Sequence, residues 1–128
     1  MGFEDAVRSV LSKYVGFQGR ALRSEYWWWI LFVIILTAVT NAIDGFVIAP
    51  LLGFQSFEMN AGQPLSIIVS LAFFLPSLAV SIRRLHDIGR SGWWILIGLI
   101  PLIGMIVLIY WYVQPSQDGD NQFGQAAG

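Results

Sequence analysis

Trp93–Val113 reads WWILIGLIPLIGMIVLIYWYV, 21 residues without a charge and with aromatic residues at both ends. As one α-helix the run extends about 31 Å at 1.5 Å per residue, enough to cross the hydrocarbon core of a bilayer. Gly98, Pro101 and Gly104 sit in its middle. Proline between glycines is also where a helix bends. A bend at Pro101–Gly104 turns the run into a re-entrant hairpin and returns the C-terminal tail to the side it came from. A hairpin needs its broken backbone shielded by protein, which three short helices can barely provide. A full crossing is therefore the expected reading, with the hairpin as its alternative.

Two further runs have the same character. Tyr26–Ile43 (YWWWILFVIILTAVTNAI) and Leu65–Ile82 (LSIIVSLAFFLPSLAVSI) hold 18 uncharged residues each. The chain of 128 residues is 56% hydrophobic and 12% charged, with a mean hydropathy of +0.66. Soluble domains carry about 25% charge. The composition predicts one all-α integral membrane domain over residues 1–128, with transmembrane helices at about 26–43, 65–82 and 93–113. The first run starts too late, and is too long, for a signal peptide.

All seven basic residues lie in two places: Arg8, Lys13, Arg20 and Arg23, then Arg83, Arg84 and Arg90. The positive-inside rule puts both segments in the cytoplasm. With three spans the tail 114–128 falls outside. Ser24 and Ser91 are placed to cap the helices entering from the cytoplasm. RSEYWW at Arg23–Trp28 echoes RSGWW at Arg90–Trp94, as shared interface chemistry would produce. Phe3, Val7, Val10, Leu11 and Tyr14 fall on one helical face, which predicts an amphipathic surface helix over 3–15. Phe46–Phe54 is apolar but too short to cross. It extends the first helix, dips into the interface or caps the bundle. Glu58, Asn60, Gly62 and Pro64 read as a loop.

Chemistry concentrates in RRLHDIGRSGWW, Arg83–Trp94, which holds three arginines and the only histidine. Arg83 and Asp87 are spaced i, i+4 and can pair, or Asp87 orients His86 or an arginine from the N-terminal side. Gly89 ends the helix. Arg20, Arg23 and Glu25 lie at the same depth as Arg83, Arg84, His86, Asp87 and Arg90. The two segments should therefore meet as one network. Such a network anchors helices by snorkelling. It also suits an anionic headgroup or phosphate, since arginine offers bidentate donors to phosphate.

Enzyme chemistry has little support. His86 and Asp87 diverge on a helix, and no activated nucleophile is evident. Cysteine is absent, one histidine makes no zinc site, and DGDN at Asp118–Asn121 lacks the closing Glu of a calcium loop. Neither a cofactor nor a nucleic-acid partner is expected. In the second run Ser66, Ser70, Ser77 and Ser81 share one face. They read as a helix-packing stripe or, alternatively, as the lining of a small oligomeric channel or transporter, with Thr37 and Asn41 facing the same interior.

FQGRALRSEYWWW (Phe17–Trp29), LPSLAVSIRRLHDIGRSGWW (Leu75–Trp94), IPLIG (Ile100–Gly104) and DGDNQFG (Asp118–Gly124) resemble the DUF805 family over nearly the whole chain. The resemblance implies a small bacterial inner-membrane protein of a domain of unknown function. It supplies no catalytic residues. It implies that the arginine-rich motifs and the Asn121–Gly124 stretch matter together. The expected function is non-enzymatic: the cytoplasmic Arg/His/Asp cluster binds anionic lipid headgroups or a partner protein, with a homo-oligomer or membrane-protein partner compatible.

Overall fold

The computed structural model describes residues 2–53 and 64–125. Glu58, Asn60 and Gly62 of the expected loop lie outside the described residues. The described residues form helices and turns, with an isolated antiparallel bridge at Asn121–Gly124. Two compact units divide the chain: Met1–Ile30 with Leu75–Gly128, and Leu31–Phe74.

Among the described residues two helices are long and apolar enough to cross a membrane, Arg23–Leu51 and Pro64–Asp87. The first is α-helical over Arg23–Ile43, takes a π-turn at Asp44–Ile48 and finishes at Ala49–Leu51. The apolar stretch after Ile43 thus extends the first helix. Pro64 opens the second helix and does not belong to the loop. Proline suits this position because its missing N–H has no helical partner anyway. The next two N–H groups donate to the buried carboxylate of Asp44, Leu65 at 3.0 Å and Ser66 at 2.7 Å. Asp44 therefore caps a helix it does not belong to, where a negative charge faces the positive end of the dipole. In the same unit the Ser66 hydroxyl donates to Asn41 Oδ1 at 2.8 Å, and Phe32 meets Phe73 edge to face. The second helix is continuous through the buried Pro76 and ends at Asp87. Gly89 (φ +79°) then turns the chain, and Arg90 N donates to Leu85 O at 2.9 Å. This is a left-handed glycine closing a helix.

In the other unit the N-terminal helix runs Phe3–Ser12, shorter than 3–15. Ala6 and Val10 are its buried residues, while Phe3 and Leu11 are exposed. Phe3 stacks edge to face on Trp28, and Ser9 Oγ donates to Glu25 at 3.0 Å. Ser24 does not cap the first long helix, which already begins at Arg23. Ser91 does cap, its side chain accepting from Trp93 N.

The expected third span is corrected. Residues 93–113 do not form one helix. Gly92–Leu99 is a 3₁₀ helix and Ile103–Tyr112 an α-helix, and the two fold back on each other. Leu102 has φ +65° and ψ −64°, and Ile103 N donates to Pro101 O at 2.7 Å. This is a γ-turn of the rare positive-φ form. Gly104 makes the close return possible, since a Cβ there would collide with the Ile97 carbonyl. Gly104, Leu108 and Tyr112, four apart, form the buried face of the second arm. Two further bonds close the reversal: Ile100 N donates to Ile97 O and Gly104 N to Ile100 O. At about 2.0 Å per 3₁₀ residue and 1.5 Å per α residue, each arm reaches about 15 Å, half the hydrocarbon thickness.

Candidate functional site

The tail does not leave the cluster. It closes over it. Arg20, 6% exposed, gives Nε to Asp87 Oδ1 at 2.9 Å, Nη2 to Gln117 O at 2.7 Å and Nη1 to Gly119 O at 2.6 Å. Arg84, fully buried, gives Nη1 to Asp87 Oδ2 and to Ala21 O. Its Nε goes to Tyr112 O at 3.2 Å, and its Nη2 to Gln114 O. Asp87 also accepts from Ser116 Oγ, and its carbonyl accepts from Gln117 N at 3.0 Å. Two guanidiniums thus share one carboxylate, and main-chain carbonyls take most of their remaining donors. Tyr112 O lies at the end of a helix, where the dipole is negative. The expected placement of the tail 114–128 away from the Arg83–Trp94 motif is therefore corrected over its described residues.

Arg83 pairs with Glu25 at 3.0 Å and not with Asp87. The i, i+4 expectation fails because Arg20, from the N-terminal segment, and Arg84 occupy the Asp87 carboxylate. Arg83 is 1% exposed, and its Nε and Nη2 have no hydrogen-bond partner among the described residues. Its carbonyl accepts from Ala21 N, which ties the N-terminal segment to the helix end.

His86 faces the tail. Its Nδ1 lies 2.9 Å from Gly19 O, and Phe123 stacks flat on the ring at 4.1 Å. Asn121 Nδ2 donates to His86 O, and Asn121 and Gly124 close the last turn on themselves. The apolar part of the helix stops at Ile82, so His86 stands beyond it. Burial lowers the imidazole pKa, and the Gly19 carbonyl opposes this as the smaller effect. The role of Asn121–Gly124 was not visible from spacing. Phe123 and Asn121 are the signals that point to it, an aromatic ring and a side-chain amide placed to read His86.

Arg23 and Arg90 differ from the rest. Arg23 is exposed and donates to Val113 O at 3.0 Å. Arg90 is half-buried and lies 4.2 Å over the ring of Trp111. Each opens on a cleft beside Pro115. One, of about 220 Å³, is lined by Leu22, Arg23, Ser24, Pro115 and Ser116. The other, of about 290 Å³, includes Arg90, Tyr110, Trp111 and Gln114. The echoing RSEYWW and RSGWW motifs therefore bring their arginines to the C-terminal foot of the same hairpin.

The matched motifs are distributed over everything that converges here. The family profile described as "Protein of unknown function (DUF805)" matches residues 14–125. The chain belongs to the DUF805 family. Inner membrane protein YhaH of Escherichia coli (strain K12) is 45% identical over 115 residues, 90% of this chain and 89% of that protein. Inner membrane protein YhaI of the same organism is 43% identical over 116 residues, 91% of this chain and 89% of that protein. Neither DUF805 relative bears the name of an enzyme. No solved structure matches the chain. The profile takes in all four of the motifs Phe17–Trp29, Leu75–Trp94, Ile100–Gly104 and Asp118–Gly124. In this DUF805 chain three of them meet at Asp87 and His86, and the fourth makes the reversal between the hairpin arms.

Three serines of the stripe are hydrogen-bonded within the protein. Ser77 Oγ accepts from Trp29 Nε1 at 2.9 Å, Ser81 Oγ donates to Ser77 O, and Ser66 is engaged as described. Ser70 is exposed.

Proposed function

We propose that this chain is a non-catalytic inner-membrane protein whose cytoplasmic face holds anionic lipid headgroups in the clefts of Arg23 and Arg90. The observation that carries this reading is the division of labour among the arginines. Arg20 and Arg84 are buried and occupied internally, and Arg83 is buried. Arg23 and Arg90 retain access, and Arg90 lies over Trp111, an aromatic side chain suited to the membrane interface. Of Arg20, Arg23, Glu25, Arg83, Arg84, His86, Asp87 and Arg90, binding falls to Arg23 and Arg90 and support to the others.

In this reading the two long helices cross the membrane. The basic segments and the tail share the cytoplasmic side, and the helix Phe3–Ser12 lies along the surface. The relatives' designation as inner membrane proteins supports the location, and the basic residues support the orientation. A channel lined by the second helix has little support, because three of its four serines are engaged within the protein.

Native mass spectrometry of protein taken from mixed phosphatidylglycerol and phosphatidylcholine bilayers tests the reading. Replacing both residues (Arg23→Gln, Arg90→Gln) should lower the preference for retained phosphatidylglycerol about thirtyfold, at about 1 kcal/mol per arginine. Unchanged retention by a folded double variant refutes headgroup binding at these clefts.

A further inference from the structure

We infer that the hairpin Gly92–Tyr112 is a wedge inserted into the cytoplasmic leaflet alone, and that it gives the protein a preference for membranes convex on the cytoplasmic side. The inference rests on the two-crossing reading above. Its first support is the surface of the hairpin. Trp93 is 79% exposed, Leu99 80%, Leu102 74% and Ile103 68%. No residue of the 3₁₀ arm is buried. The only buried residues of the α arm, Gly104, Leu108 and Tyr112, form one face. An apolar tip bare on this scale is not stable in water.

The second support is depth. Both feet are fixed where the long helices meet the charged layer. A Cβ on Gly92 would press on Ile82, and Tyr112 packs on Tyr26 at 4.5 Å while its carbonyl accepts from Trp27 and Arg84. From these feet, arms of about 15 Å end near the bilayer centre. The hairpin cannot reach the opposite leaflet. Acyl chains of the near leaflet are the occupant that fits, because they also cover the apolar surfaces of the long helices.

The mechanical consequence follows from counting rods. Among the described residues, the cytoplasmic leaflet accommodates four helical segments, two crossing and two from the hairpin, and the opposite leaflet accommodates two. Extra cross-section in one leaflet is relieved when that leaflet is convex. An orientation with no such difference in energy would not respond to curvature at all.

The chain has no cysteine, so single-cysteine variants report side and depth. Ser9→Cys and Gln125→Cys proteins are reconstituted separately into small sonicated and large extruded vesicles of phosphatidylcholine and phosphatidylglycerol. They are then labelled with a membrane-impermeant maleimide. The expected result is the same accessible fraction for both cysteines, with the odds of the cytoplasmic face outward at least about twofold higher in small vesicles. A bimane on Leu102→Cys should be quenched by mid-chain nitroxide lipids and not by aqueous iodide. Leu102→Lys with Ile103→Lys should return the odds to those of large vesicles. If this variant does not fold, the native hairpin's odds and bimane depth still decide. Equal odds with both cysteines on one side overturn the wedge and leave the two-crossing reading intact. Iodide quenching of the tip overturns insertion. Cysteines on opposite sides overturn the two-crossing reading itself.

Discussion

Leu65–Ile82 and Trp93–Val113 are both uncharged, both of spanning length and both interrupted by a proline. One is a continuous helix and the other a hairpin. Pro76 has no glycine near it in the run, and its helix is held from both ends, by the Asp44 cap and by the Gly89 closure. Pro101 is flanked by Gly98 and Gly104, which let two arms approach at backbone distance. Its neighbour Leu102 adopts a positive φ that a leucine rarely takes. Proline alone removes one hydrogen bond and tends to kink a helix. Proline with closely packed glycines and anchored ends can reverse it.

The comparison breaks most completely if the anchor is removed. Asp87→Ala leaves Arg20 and Arg84 buried without their shared carboxylate. Loss of a partner from a buried ion pair costs about 3–5 kcal/mol, and denaturant unfolding in detergent should register a loss of that size. A loss below about 1 kcal/mol would show that the carbonyls alone hold both cations. Next comes the close approach. Gly104→Val places side-chain atoms on the Ile97 carbonyl and should cost about 1–3 kcal/mol by overpacking. A crystal or cryo-EM structure of this variant showing the same arm spacing would contradict the role given to Gly104. The smallest effects sharpen the picture of the straight helix. Ser77→Leu removes the Trp29 partner and overpacks a contact, for about 1–2 kcal/mol. Ser70→Leu, on an exposed position, should stay within about 0.5 kcal/mol. Equal losses at the two serines would mean that the whole stripe is packed.

Much of the fold is legible in the residues. Two uncharged runs become the two long helices, Gly89 closes the second and Ser91 caps the next element. The meeting of the two arginine segments is legible as well, because seven basic residues fall in only two places. The hairpin was legible as an alternative. Length favoured a crossing, and the deciding facts, a γ-turn at Leu102 and the Gly104–Ile97 approach, depend on atoms brought together by the fold. The assignment of arginines to partners was less accessible. An arginine that snorkels and one that clamps carbonyls look alike in sequence, since carbonyls belong to every residue and leave no signature. The Asp44 cap was hidden for a related reason: it serves a helix that begins 20 residues later.

The carbonyl clamps also impose an order on the birth of the protein. Arg20 binds main-chain oxygens 97 and 99 positions away, and Arg84 one that is 30 away. A chain leaving the ribosome therefore exposes both cations before Gln114, Gln117 and Gly119 have reached them. Until then they remain hydrated and the N-terminal segment cannot seat fully. Contacts this distant close late and slowly. A nascent chain stopped before residue 114 has the Asp87 carboxylate and both cations, without the carbonyls that complete their coordination.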